Sequence, residues 1–385
     1  MEILIIEDIA SSEFGGAERT MRSYCEYLAR NHRLHFVYDR PGDYAQGQSQ
    51  IYASVNRISV SQLRAQPTLS WVREVVKLVC LCKKQNIDLI LTHVIHSVSM
   101  LRVVRMLTGT KVVVLFKWVC STEGVGLQAT WGLKGLDCGI SVSRFVASYW
   151  IKNGFSKERM HIVPEGVALD GELPSDDPWQ LPVERDDRAV GFAGRIVPEK
   201  GLHILIDAIA RLSNQGARVE CFVAGSFEPG DDGPLHRYHA SIKKQIDDLG
   251  IKPKVHFLGY VKHLGGFLKK MDAVVIPSIC QEAQPMVLME SMAAGTPVVA
   301  SRVGGVPEVL TNTLAKWIFR PDDVDDLCSK LTEVLELATT ERVRLADALR
   351  QRAVAEYSIQ ECHKRLSEVI RSVHDGWGAA ARRAI

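Results

Sequence analysis

No stretch of this 385-residue chain approaches the roughly 18 uninterrupted apolar residues that a membrane-spanning helix requires, so the chain is not expected to cross a bilayer by itself. A large charge of one sign is also missing. The 47 Lys and Arg side chains nearly balance the 45 Asp and Glu, leaving +2, and no overall basic field marks a nucleic-acid binder. Paired cysteines are absent: the nine cysteines have no paired spacing, and Cys80 and Cys82 have no nearby His or second pair to complete a zinc site. Reduced thiols in a cytoplasmic protein are the expectation. The first residues, Met1 to Asp8, form an acidic, strand-like stretch in place of a charged region followed by a long apolar one, so no secretory signal is visible. Short repeats and low-complexity tracts are lacking too. With 46% hydrophobic and 24% charged residues, the composition is that of an ordinary globular protein, and the length predicts two or three domains. Disordered chains, small disulfide scaffolds and lone binding modules are thereby excluded.

What is present is a rhythm of short apolar runs alternating with amphipathic stretches, which predicts βαβ units and parallel sheets. In the first half the runs are Glu2 to Ile6, Leu34 to Tyr38, Leu89 to Thr92, Val112 to Phe116, Gly139 to Val142 and His161 to Val163, with helices at Ala17 to Arg30 and Trp71 to Lys84. A Pro- and Asp-rich stretch without periodicity, 171–188, reads as a linker. The rhythm restarts at Ala189 and includes strands at Val219 to Ala224, Val255 to Leu258, Ala273 to Pro277 and Pro297 to Ala300. The expected architecture is α/β: two Rossmann-like, doubly wound parallel-sheet domains facing one another across a cleft. Their expected limits are 1–170 and 189–360, with 361–385 forming a C-terminal helix and tail that could cross back to the first domain. From Val324 to about His374 the chain reads as helical, and Gly378 to Ile385 as a frayed tail.

Three clusters carry chemistry. The first is Ser278 to Val303, where a strand ends in a loop bearing Glu282, Pro285 suits the first position of a helix, and Glu290 lies about one and a half turns along it. Ligands of open α/β sheets bind beyond the carboxyl ends of the strands. Free N–H groups around Met286 and Val287 offer an anion site, and the two carboxylates can hold hydroxyls on either side of a diphosphate. A nucleotide sugar fits: Glu282 on the sugar, amides on the phosphate, Glu290 on the ribose. The second cluster is Gly191 to Gly201, where Arg195 and Lys200 follow a strand end and suit a pyrophosphate, the first through a forked guanidinium and the second as a mobile point charge. The third is Phe14 to Glu18, whose paired Gly15 and Gly16 let backbone approach a ligand at a helix start. The glycine spacing is wrong for a nicotinamide site. Each feature alone also has a plain reading as a surface residue or a tight turn; their coincidence at strand ends favours the site.

Taken in order, Gly15-Gly16-Ala17-Glu18, Ile140 to Arg144, Val163 to Val167, Gly194-Arg195 with Glu199-Lys200-Gly201, Val223-Ala224-Gly225, Phe257 to Val261, and Glu282 with Glu290 form a pattern. In it the chain resembles the family 4 retaining glycosyltransferases of the GT-B fold over nearly its full length. The resemblance implies that Arg195 and Lys200 bind the donor diphosphate, Glu290 the ribose and Glu282 the transferred sugar. It further implies that Gly16 approaches the phosphate, that Gly225 and Pro285 belong to the donor site, and that Val261 borders the base. Enzymes of this kind characteristically need no divalent metal, and Asp322, Asp323, Asp325 and Asp326 read better as the acidic opening of a helix. No cofactor is expected beyond the nucleoside-diphosphate sugar as co-substrate. Two positions depart from the pattern. Many members carry His where Lys117 and Trp118 follow the Val112 to Phe116 strand, and Glu165 stands where Asn is common, with nothing in the sequence to say what it changes. His93 and His96, after the Leu89 to Thr92 strand, are further candidates for acceptor or sugar contact.

The expected reaction is retaining transfer of a sugar from a nucleoside diphosphate to an acceptor hydroxyl, in surface-glycan, glycolipid or metabolite glycoside synthesis. The expected location is cytoplasmic, with closure of the domains over the donor. Acceptor choice is assigned to Asp39 to Thr68 and Thr122 to Leu136. The slightly basic first half, with Lys83, Lys84, Arg102, Arg105 and Lys111, offers a peripheral contact for anionic headgroups if the acceptor is lipid-linked; solvated charge is the alternative. Rival readings are a GT-B phosphorylase or synthase, a nicotinamide-dependent oxidoreductase, and a noncatalytic nucleotide-sugar-binding subunit.

Overall fold

The structure is a computed structural model and describes residues 1–9, 16–40, 49–60, 69–119, 126–169, 187–226 and 233–376. It divides into two compact units, Met1–Glu165 with Cys362–Ile385, and Gly166–Glu361. Each is an α/β unit built on a parallel sheet, as the alternating apolar and amphipathic stretches predict.

In the first unit the strands are β1 (Glu2–Ile9), β2 (Arg33–Arg40), β3 (Tyr52–Arg57), β4 (Leu89–Thr92), β5 (Lys111–Phe116), β6 (Cys138–Ser141) and β7 (Met160–Ile162), paired in the order β3-β2-β1-β4-β5-β6-β7. Every pairing is parallel. The inner strands β4 and β5 are apolar on both faces, as helices on both sides require: all four side chains of β4 are buried. The helices are α1 (Gly16–Leu28), α2 (Leu69–Lys84), α3 (Val98–Thr108), α4 (Leu127–Lys134), α5 (Arg144–Lys152) and, at the end of the chain, α13 (Ile359–His374). On one face Ile3, Ile5, Leu89, Leu91, Val113 and Leu115 pack against Met21, Tyr24 and Leu28 of α1 and Leu366, Ile370 and Val373 of α13. Where α13 meets α1, the His363 ring stacks on Tyr27 at 4.6 Å and its Nε2 lies 2.9 Å from Ser23 Oγ.

In the second unit the strands are β8 (Arg188–Ala193), β9 (Val219–Ala224), β10 (Val255–Gly259), β11 (Ala273–Ile276), β12 (Val298–Ser301) and β13 (Ile318–Phe319), in the order β10-β9-β8-β11-β12-β13. Its helices are α6 (Leu202–Asn214), α7 (Pro234–Asp248), α8 (Leu264–Lys269), α9 (Met286–Ala294), α10 (Val306–Val309), α11 (Val324–Leu335) and α12 (Thr339–Tyr357). The strand order reverses between β8 and β11 here and between β1 and β4 in the first unit. At such a switch point the connections leave in opposite directions and open a crevice at the carboxyl ends of the two strands. Asp323 caps α11 by accepting the Asp326 N–H at 2.8 Å, so the acidic cluster there opens a helix.

The sequence expectations differ from the structure in detail. Two short strands, β3 and β13, were not among the expected runs. The stretch read as a linker lies outside the described residues except for Asp187 and Arg188, and Arg188 already belongs to β8. The Gly378 to Ile385 tail also lies outside them.

Candidate functional site

In the second unit the chemistry collects at the switch point. β8 ends at Ala193, and Gly194 follows with its N–H donating to the Ala224 carbonyl at 3.0 Å. Gly225 must be glycine, because a Cβ there would stand 2.2 Å from the Gly194 carbonyl oxygen. Arg195 comes next and is exposed, and its side chain makes no hydrogen bond or ion pair among the described residues. A single turn, Pro198–Lys200, then delivers Lys200 to the start of α6. Gly201 carries that bend at φ +69°, and a Cβ there would meet the Pro277 carbonyl oxygen at 1.9 Å.

From the neighbouring strand, β11, the chain runs into Ser278 and Glu282. Glu282 is buried, and its Oε1 accepts from Lys200 Nζ at 2.5 Å and from Ser278 Oγ at 2.6 Å. The loop is fixed on both sides. The Ile279 N–H donates to the Glu199 carbonyl at 2.9 Å, while the Gly305 N–H donates to the Glu282 carbonyl at 2.8 Å. Gly304, at φ +50°, approaches so closely that a Cβ would lie 1.9 Å from the Glu282 carbonyl oxygen. The Gly304 N–H in turn donates to Gln281 Oε1 at 2.8 Å. An ammonium has three donors and spends one on Glu282, leaving two on a side chain that is still partly exposed.

The helix that follows, α9, begins at Met286 without a side-chain cap, so its first N–H groups lack intrahelical acceptors. Pro285 is the residue before the helix, at φ −73° and ψ 113°, and not its first turn; an extended ψ suits the entering chain, and the buried ring still sets the direction of entry. Met286, Val287 and Glu290 are half-buried on α9. Val261 packs at the margin of the core beyond β10, and an antiparallel bridge joins Gly225 to Gly259. Of the residues expected from sequence, the structure joins Lys200 to Glu282 directly and places Arg195 and α9 after the same two adjacent strands. Ser278 opens the first cluster read from the sequence but carries no role there, and the Gly304-Gly305 clamp lies just beyond that cluster. Ser278 directly follows an apolar run, which is the signal that could have given it one.

In the first unit, Gly15 lies outside the described residues, and Gly16 is the first residue of α1. The two histidines after β4 differ in environment: His96 is exposed and His93 is buried. His93 Nδ1 has no hydrogen-bond partner among the described residues, and the ring meets Trp118 edge-on at 5.7 Å. Desolvation, with the Lys117 ammonium adding to it, pushes the imidazole from the usual 6.5 down to about 3. Lys117 turns inward: its Nζ lies 3.5 Å from Glu165 Oε1, with the two side chains only 3% and 8% exposed. The two departures from the family pattern are therefore partners in one buried ion pair, and Glu165 supplies the countercharge that Lys117 needs. Trp118 is 40% exposed, and its carbonyl accepts from Trp150 Nε1 at 3.0 Å. The acceptor-side stretches 41–48, 61–68 and 120–125 lie outside the described residues. Among the described residues no group of three or more His, Cys, Asp or Glu could hold a metal ion, and no helix is long and apolar enough to cross a membrane.

Comparison with known proteins agrees with this layout. Residues 14–170 match the family described as Glycosyltransferase Family 4, and residues 175–352 the family described as Glycosyl transferases group 1. The chain belongs to the family 4 glycosyltransferases. Among curated relatives, the MMP alpha-(1->4)-mannosyltransferase of Mycolicibacterium hassiacum is 33% identical over 208 residues, covering 53% of this chain and 46% of that protein. The D-inositol 3-phosphate glycosyltransferase of Mycobacterium bovis is 32% identical over 213 residues, covering 54% of this chain and 42% of that protein. The matched regions thus span less than half of these relatives. Among solved structures, Anabaena HepE in complex with UDP superposes with a TM-score of 0.81 at 20% identity, over 97% of this chain and 100% of that one. A glycosyltransferase from Rickettsia africae gives 0.83 at 17% identity, over 97% and 99%. At these identities the likeness establishes the fold, which is GT-B.

Proposed function

We propose that the chain transfers a sugar from a nucleoside-diphosphate donor to an acceptor hydroxyl, using the second unit to hold the donor. The observation that carries this reading is the Lys200–Glu282–Ser278 cluster at the switch point, beside an unpaired Arg195 and an uncapped helix start. A diphosphate is the ligand that two cations and a set of free amides would take. Glu282 uses Oε1 on Lys200 and Ser278, leaving Oε2 for a sugar hydroxyl, and Glu290 is the group for the ribose. Gly225, Val261, Pro285, Met286 and Val287 are assigned to the donor surface, and Gly15 and Gly16 to its phosphate side.

As the glycosidic bond lengthens, negative charge grows on the leaving diphosphate. Lys200, held by Glu282, and the α9 amides are fixed in place to meet that charge as it forms, and the exposed, unpaired Arg195 is free to swing onto it. Retention at the anomeric carbon follows if the acceptor attacks the face from which the diphosphate leaves, with the phosphate oxygen taking the acceptor proton. No metal and no cofactor is assigned a role. A glycan, a lipid-linked acceptor or a small molecule would be the acceptor; His93, His96, Lys117 and Trp118 are candidates for its contact, and of these the exposed His96 and Trp118 are the ones able to touch it directly.

The test is turnover with saturating donor. Removing one charge-stabilising group of this kind costs about 2.7 to 4 kcal/mol. Arg195→Ala and Lys200→Ala are expected to lower turnover by roughly 100-fold or more. Near-normal turnover in both variants would refute the assignment.

A further inference from the structure

The first unit carries an exposed surface, apolar and basic, on the helices that follow β3, β4 and β5. In that sheet the crossovers β3 to β4, β4 to β5 and β5 to β6 all run in one direction, so the right-handed rule sets α2, α3 and α4 on the same face, opposite α1. Their inner sides are committed to the core through Val75, Leu78 and Cys82 of α2, Met100, Leu101 and Val104 of α3, and Leu133 of α4. α4 lies tight on α3, since a Cβ on Gly132 would stand 2.6 Å from the Ser99 backbone nitrogen. The three helices form one layer.

The outer side of this layer is apolar as well. On α2 a second stripe, Leu69, Val72 and Val76, repeats at helical spacing away from the buried one, and Leu69 is 91% exposed. Met106 and Leu107 project from α3, and Leu127 and Trp131 from α4, with Leu127 also 91% exposed. Leu69 and Leu127, at this exposure, stand clear of their neighbours. The charge around them has one sign. α2, α3 and α4 carry Arg73, Lys77, Lys83, Lys84, Arg102, Arg105 and Lys134 but a single acid, Glu74, which is buried and held by Arg73 and Lys77 at 3.0 and 2.9 Å. Arg105 is spent on Asp137 at 2.6 Å and Arg102 lies over the Trp131 ring at 4.2 Å. Lys83, Lys84 and Lys134 have no ion-pair partner among the described residues.

We propose that the outer face of α2, α3 and α4 docks on an anionic lipid bilayer, with Leu69, Val72, Leu127 and Trp131 entering the headgroup region and the lysines resting on lipid phosphates. Protruding apolar side chains on helices that end in cations suit a fluid, negatively charged phase, which needs no preformed pockets to receive them. A second copy is a poorer occupant, because a two-fold contact would set this basic face against itself. The proposal is independent of sugar transfer and is read without donor.

The experiment is flotation of the full chain with phosphatidylcholine vesicles containing roughly 30% phosphatidylglycerol, against phosphatidylcholine alone. Binding to the anionic vesicles, weakened by salt, is expected. The double variant Lys83→Ser with Lys84→Ser should bind about 30-fold more weakly, and Leu127→Asp about 10-fold more weakly, with unfolding midpoints unchanged because these side chains are exposed. Failure to bind anionic vesicles, equal binding to both vesicle types, or wild-type binding by both variants would overturn the proposal. So would self-association of the chain that Leu127→Asp abolishes.

Discussion

At the scale of single residues, charge held away from water is neutralised by a partner from another strand's end, as in Lys200 with Glu282 and Lys117 with Glu165. Lys200 and Glu282 lie 82 positions apart and were both legible in the sequence, because each follows an apolar run that had to be a strand and ligands gather at strand ends. Their direct pairing was not legible, since only the adjacency of β8 and β11 brings the two loops together. Lys117 and Glu165 show the same limit. Each stood out against the family pattern, but the ion pair between them depends on the sheet order β5-β6-β7, which no local signal encodes. His93 yields a prediction at this scale. The unfolded chain takes up a proton near 6.5 and the folded His93 not until about 3, so protons favour unfolding across that interval. His363, lowered to about 4 by burial with Arg30 adding to it, acts in the same direction. Stability measured by chemical denaturation should therefore be fully present above the usual histidine range and fall as the pH drops through it. His93→Gln should flatten that slope by up to about 1.4 kcal/mol per pH unit. A slope identical to wild type would show that the ring is not held neutral by its surroundings.

At the scale of elements, the loop that carries Glu282 is a strap held at both edges, by the Glu199 carbonyl on one side and the Gly304-Gly305 backbone on the other. Glycine is required at 304 because both the left-handed backbone and the contact with the Glu282 carbonyl exclude a side chain. Gly304→Ala is expected to shift the loop and lower donor affinity by about 10-fold or more, and to cost about 1–2 kcal/mol of global stability through the backbone conformation, with displacement of the Glu282 carbonyl adding to it. Donor titration beside a denaturation curve checks this, and unchanged affinity would mean that the strap does not position Glu282. The helix layer shows why sequence periodicity stops short. α2 has apolar residues on two sides, Val75, Leu78 and Cys82 inward and Leu69, Val72 and Val76 outward, and a 3.6-residue pattern cannot say which side meets the sheet. The short strands β3 and β13 escaped for a simpler reason: six and two residues, with polar positions in the first, carry too little pattern.

At the scale of the whole molecule, two parallel sheets of seven and six strands share one logic, with the first and fourth strands of each meeting where the order reverses. That logic was readable from the alternation of runs, and the break before β8 marked where one sheet gave way to the next. The division of labour it implies, donor on the second unit and acceptor on the first, rests on the Arg195, Lys200 and α9 cradle taking a diphosphate. The direct measurement is the unfolding midpoint of the wild-type chain, Arg195→Ala and Lys200→Ala with UDP, GDP, ADP and dTDP and their sugars, because a ligand that binds only the folded chain raises the midpoint by mass action. At least one nucleotide should raise it in the wild type, with a clearly smaller rise in both variants. No response to any of them, or an equal response in all three proteins, would contradict the account.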